Sequence, residues 1–262
     1  GAALSLLWIA ACVDMAPDPT DRAPRPMTMQ GPDDHPADLS KLPIETRRVY
    51  EPLSKRVQTL RGYPARDVLR ATLGEVPTSG LVLVKCRDGY QASIPAGKFR
   101  ESDDFEALFA FAVEGRDAFR VRSAASGNDV ELSPFYVVWS STTAVSSSAF
   151  AYQVFALAHR EALPPVLADV PESVAPGAAA FAKRCASCHA LGDYGGRFGP
   201  QLLEPIPISR WVDDRYLRRW IVEPESMRAG TNMPGLPEDL PDREATADAI
   251  VAYLRWLDGQ PR

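Results

Sequence analysis

Residues 185–189 read Cys-Ala-Ser-Cys-His, which puts two of the chain's four cysteines and one of its three histidines within five positions. Cysteines three apart share one face of a helix, so both thiols can reach the two vinyl groups of a single porphyrin. His189 follows directly and can turn its imidazole toward the iron as proximal ligand. The spacing C-x-x-C-H is the attachment signature of a c-type haem. Two other chemistries use a C-x-x-C pair. A thioredoxin-like redox pair needs a βαβ setting, which this stretch lacks, and has no use for the histidine. A zinc site needs further Cys or His ligands downstream, and none follows His189.

Helices must hold these groups in place. The alanine-rich "PGAAAFAKR" (176–184) leads into the motif, with Pro176 near the first helical position, where its missing N–H is harmless. "DDRYLRRWIVEP" sets Tyr216, Leu217, Trp220 and Ile221 on one helical face, and "REATADAIVAYLRWL" does the same with Ala249, Ile250, Tyr253, Leu254 and Leu257. Arg210, Arg215, Arg218 and Arg219 could dock an acidic redox partner. Asp213 and Asp214 are interspersed among them, which favours a solvated mixed-charge face.

Taken with "FGPQLLEP", "GTNMPGL" and "DAIVAYLRWL", these segments closely resemble class I cytochrome c domains over residues 176–259. The resemblance implies an all-α unit with one covalent haem c. It implies that Gly199 and Pro200 pack beside His189, the proline carbonyl fixing the ring's Nδ1–H, an outer contact that orients the imidazole and raises its basicity. It also implies a methionine as sixth ligand in an M-P loop. Met233, followed by Pro234, matches, and Met227 is the competitor six residues earlier. His/Met ligation raises the iron potential, as an electron carrier requires. It fills both axial sites, so no position stays open for substrate.

The rest of the chain bears on where this chemistry happens. The 262 residues carry a net charge of −5, which argues against nucleic acid as a partner. Residues 1–12, "GAALSLLWIAAC", are apolar, the size of a signal-peptide core and too short to span a bilayer. Ile9 to Cys12 resemble a bacterial lipobox, which implies acylation at Cys12 and a place on the periplasmic side of the membrane. Residues 13–43 are rich in proline and acids and read as an extended linker, with Met15, Met27, Met29 and His35 incidental. Residues 44–160 read as an α/β or α+β domain. "YPARDVLRATLG" is its clearest helix, Ser102 to Asp104 cap a second helix over "FEALFAFAVEG", and strands lie at "GLVLVKC", "YQASIP", "AFRVRS", "FYVVWSS" and "AFAYQVFAL". The proline-rich residues 161–175 form a second linker, and 176–262 are the third unit.

Around "CRDGYQASIP" the middle domain is similar to small domains related to the sulfite-oxidase-type molybdopterin oxidoreductases. In that family the molybdenum-ligating cysteine lies well before such a segment. Here the candidate is Cys86, at the end of a strand, and the pterin-contacting basic residues have no match. The domain therefore reads as a non-catalytic relative and Cys86 as a buried thiol. The expected whole is a lipid-anchored monohaem electron carrier, not an enzyme, serving redox proteins of a respiratory or photosynthetic complex. The alternative is a fused oxidoreductase acting on a sulfite-like anion.

Overall fold

A computed structural model describes residues 26, 28–100, 106–140 and 150–260. Cys12 and the lipobox lie outside the described residues. Among the described residues, no helix is long and apolar enough to cross a membrane.

The N-terminal two-thirds is built on one nine-stranded sheet, with strand order β2-β1-β11-β10-β7-β4-β3 and a branch in which β5 pairs with β11 and β6. The strands are β1 (Thr28–Gln30), β2 (Pro36–Asp38), β3 (Glu45–Glu51), β4 (Arg56–Pro64), β5 (Leu81–Cys86), β6 (Gln91–Pro95), β7 (Ala107–Val113), β10 (Phe135–Trp139) and β11 (Ala151–Arg160). The short strands β8 (Arg120–Arg122) and β9 (Asp129–Glu131) form a separate hairpin. Pairing is antiparallel throughout except for β1 on β11. With α1 (Ala65–Leu73) on the sheet, the domain is α+β in character. The helix ends as its sequence indicates, with Gly74 in the left-handed region (φ 83°) donating its N–H to Arg70 O.

Two expectations fail here. The run "FEALFAFAVEG" is not a helix: Ala107–Val113 form β7, buried at every position. A continuous apolar run suits a buried strand as well as a buried helix. The choice is made by partners: β7 lies between β10 and β4. One of its faces packs with Tyr63, Val68, Leu69 and Phe135, and the other with Leu60, Phe119, Val121 and Tyr136. The linker expected over 13–43 is likewise structured from Thr28 onward. Met29 is fully buried, and β1 lies parallel to β11 with Gln30 opposite Ala156. The long-range pairing and the buried thioether compensate for a composition that looks disordered locally.

The C-terminal unit is helical: α2 (Pro165–Ala168), α3 (Ala175–Arg184), α4 (Asp214–Val222), α5 (Pro224–Met227) and α6 (Arg243–Asp258). α3 crosses α6 with Phe181 against Tyr253, ring centroids 6.0 Å apart. Burying each such ring contributes about 1.5–3 kcal/mol. The two backbones meet at Gly177, where a Cβ would stand 2.0 Å from Ala249 O. Residues 161–175 are no free linker. Val166, Leu167, Val170 and Val174 pack onto this core, and the Tyr253 hydroxyl donates to Val166 O. On α4, Leu217 and Ile221 are buried as expected, but Tyr216 is 54% exposed. Three of the four arginines are ion-paired, Arg210 with Asp258, Arg215 with Asp213, and Arg218 with Glu244 and Asp248, while Arg219 donates to Ser226 Oγ.

Candidate functional site: a haem-attachment loop braced from both sides

The helix that carries the motif ends one residue before it. Cys185 caps α3, its N–H bonded to Phe181 O at 2.8 Å. Residues 185–188 continue as a turn that keeps the helical bonding: the His189 N–H donates to Cys185 O at 2.9 Å. Both thiols are free and half-buried. Burial pushes the Cys185 thiol up to about 12, with Cys188 adding to the effect, and raises Cys188 as well, with the Asp88 carboxylate contributing.

The return strand of the loop locks the turn. Gly196 N–H donates to Ala186 O (2.7 Å), Gly199 N–H to Cys188 O (2.8 Å) and Leu202 N–H to Ala190 O (3.0 Å). At Gly196 a Cβ would sit 2.0 Å from Ser187 O, so no larger residue allows this approach. His189 is fixed from two directions. Its Nδ1 lies 2.9 Å from Pro200 O, a carbonyl that can only accept, so Nδ1 carries a proton and Nε2 is the nitrogen that can offer a lone pair in the neutral ring. A Cβ on Gly199 would stand 2.5 Å from Cε1, 2.8 Å from Nδ1 and 3.0 Å from Nε2. Gly199 therefore lies flat against the imidazole. Two thiols one turn apart and an imidazole oriented through its Nδ1 fit a covalently attached haem. Among the described residues, no group of three or more His, Cys, Asp or Glu side chains could hold a metal ion, so the zinc alternative has no ligand set.

Met233 lies in the loop between α5 and α6, half-buried, with its N–H donating to Thr231 Oγ1 at 3.2 Å. The loop is tied down behind it by Leu236 N–H to Ile221 O (3.0 Å) and by Arg243, which donates to Leu236 O and Val222 O. Met227 is the last residue of α5, part of a helix end rather than of this loop. His159 is elsewhere, its Nε2 2.9 Å from Ser79 O. Cys86 is buried in the core of the sheet domain, and burial, with the Asp88 charge adding, raises its thiol to about 12. A thiol so enclosed offers no ligand to a cofactor at the surface.

Sequence reasoning missed one set of contacts. The β5–β6 turn of the sheet domain rests on the haem-attachment loop: Gln91 N–H donates to Ser187 O at 2.9 Å, and Arg197 N–H to Gly89 O at 2.7 Å. Gln91 Nε2 also reaches Gly195 O at 3.3 Å. The available signals were the Asp88-Gly89 turn and the Gly195-Gly196 pair, both of which permit close backbone approach.

Residues 174–258 match the family model described as cytochrome c. The chain is also similar to cytochrome c oxidase subunit 2 of Alkalihalophilus pseudofirmus (strain ATCC BAA-2126 / JCM 17055 / OF4), 35% identical over 78 residues. That match takes in 28% of this chain and spans only 22% of the relative's length. Such a domain implies covalently bound haem and a role in electron transfer. The motif, the bracing of His189 and the family match agree: the C-terminal third of the chain is a class I c-type cytochrome domain.

Proposed function

We propose that the chain is a monohaem electron carrier, lipid-anchored through Cys12 on the periplasmic side of a bacterial membrane, and that it passes single electrons between redox proteins as a subunit of a larger complex. The observation that carries the reading is the state of His189: Nδ1 committed to Pro200 O, the ring face covered by Gly199, and Nε2 free to bind. Bound haem supplies an iron that cycles between ferric and ferrous by one electron. Cys185 and Cys188 would anchor it through thioether links, and His189 Nε2 and Met233 would ligate its iron. A thioether is a soft, neutral ligand that favours the ferrous state and keeps the potential high. The similarity to an oxidase subunit supports membership in a respiratory assembly, and the sheet domain serves to dock the carrier there.

Potentiometric titration of the purified full chain tests the reading. The expected result is one haem per chain, titrating reversibly with a one-electron slope. Met233→Ala should abolish the near-infrared methionine–iron band and lower the potential, while Met227→Ala should leave both in place. A haem that does not cycle, or a Met227→Ala chain that loses the band, refutes the corresponding assignment.

A further inference from the structure

The attachment loop is held on one side by its own domain and on the other by the sheet domain. At the β5–β6 turn, Gly89 has φ +90°, and a Cβ there would stand 2.9 Å from the Arg197 carbonyl carbon. The turn is set internally by Asp88 Oδ1, which accepts the Tyr90 N–H at 2.9 Å. Tyr90 packs against the sheet core next to Gln91, whose N–H bonds Ser187 O, which sets it within reach of Ser187 and within electrostatic range of Cys188. Gln91 then bonds the carbonyl of Ser187, one of the two residues between the haem-anchoring Cys185 and Cys188. Two domains therefore build this face of the haem site.

We propose that the β5–β6 hairpin is a positioning element of the redox centre, with Tyr90 sealing the Cys188 thioether edge from water and so holding the reduction potential up. The proposal rests on the electron-transfer reading above. Oxidation leaves the haem with one more positive charge. A dry surround disfavours that charge, and water admitted at the edge stabilises it. Asp88 near Cys188 acts in the opposite sense, favouring the oxidised state, but it is exposed and screened. The aromatic ring is thus the dominant contribution of the hairpin.

The experiment uses the full haem-loaded chain in four forms: wild type, Tyr90→Ala, Tyr90→Phe and Gly89→Ala, with the exposed Tyr216→Ala as control. Midpoint potentials and amide hydrogen exchange are measured together. At a fixed ambient potential, Tyr90→Ala should raise the ferric-to-ferrous ratio about tenfold, a fall of about 59 mV for one electron. Tyr90→Phe, which keeps the ring, should stay within about twofold, as should Tyr216→Ala. Gly89→Ala should push the hairpin off and speed exchange at the Gln91 and Arg197 amides at least tenfold. An unchanged potential in Tyr90→Ala with an intact haem spectrum overturns the proposal, as does a Gln91 amide that exchanges freely in the wild type. A wild-type haem that fails to cycle overturns the electron-transfer reading and the potential-setting role with it, whereas amide protection reports the hairpin contact independently.

Discussion

Gly199→Ala tests the bracing of the proximal histidine. The new Cβ would lie 2.5 Å from His189 Cε1, and ordinary contact begins near 3.4 Å, so ring and loop must part by about 0.9 Å. The ring cannot simply withdraw, because Nδ1 is held at Pro200 O and, in the haem-loaded protein, Nε2 would be held by the iron. Displacement normal to the ring by that amount leaves the Nδ1–O distance near 3.0 Å but bends the approach by about 17°, which weakens the bond without breaking it. Overpacking of this kind costs about 1–3 kcal/mol, which corresponds to about 5- to 150-fold in the population of histidine-released protein. A proton competes with iron for Nε2, so weaker ligation lets the proton win at higher pH. The acid midpoint of the low-spin to high-spin transition should therefore rise by about 0.7–2.2 pH units. Pro200→Ala keeps the carbonyl that accepts from Nδ1 and should move the midpoint by less than about 0.3 units. The reasoning is refuted if Gly199→Ala titrates like the wild type, or if Pro200→Ala shifts as far as Gly199→Ala.

Two further outcomes follow from the packing. Gly177→Ala adds helix propensity worth up to about 1 kcal/mol, but its Cβ would stand 2.0 Å from Ala249 O and 2.9 Å from Tyr253 Cβ. The clash wins, and thermal unfolding of the haem domain should come about 4–8 °C earlier for each kcal/mol lost; a higher melting temperature would show that the helices cross with room to spare. Cys86, its thiol raised to about 12 by burial, should resist alkylation. At pH 8 its thiolate fraction is about 10⁻⁴ against about a quarter for an ordinary thiol, so in a Cys12→Ser haem-loaded chain iodoacetamide should react on the order of a thousandfold slower after folding than in urea. Comparable rates would mean that the sheet core admits reagent at Cys86.

Parts of the molecule were legible because they are written locally. The haem motif occupies five residues, and α1 carries its own stop at Gly74. Of the α4 arginines, Arg215 had its counter-charge in view at Asp213, whereas Arg218 finds Glu244 and Asp248 on the distant α6. What failed was decided at long range. β7 holds an apolar run that periodicity cannot assign, and its state is set by pairing with β4 and β10, tens of residues away on either side. Met29 sits among prolines and acids, yet β1 finds β11 across the whole sheet domain. The hairpin contact is the extreme case, since the Gln91 side chain and the Gly195 carbonyl it meets are 104 residues apart. A single chain's pattern shows that Gly89 and Gly196 permit close approach, not that they approach each other's loops.

If the docked hairpin favours the reduced haem, the reduced haem must favour the docked hairpin by the same factor, because coupling free energies are reciprocal. The tenfold effect expected for Tyr90→Ala corresponds to about 1.4 kcal/mol. The Gln91 amide exchanges only when its 2.9 Å bond to Ser187 O opens, so its exchange rate reads the undocking equilibrium. It should therefore exchange about tenfold more slowly in the ferrous protein than in the ferric protein. The Gly74 amide, bonded to Arg70 O at the end of α1 in the sheet domain, serves as the internal reference. Equal rates at Gln91 in both redox states, alongside a genuine potential shift in Tyr90→Ala, would mean that the ring acts through fixed local polarity and that opening of the hairpin is not coupled to the redox state. A slower ferrous rate at Gln91, with Gly74 unchanged, would place redox sensing in the contact between the two domains.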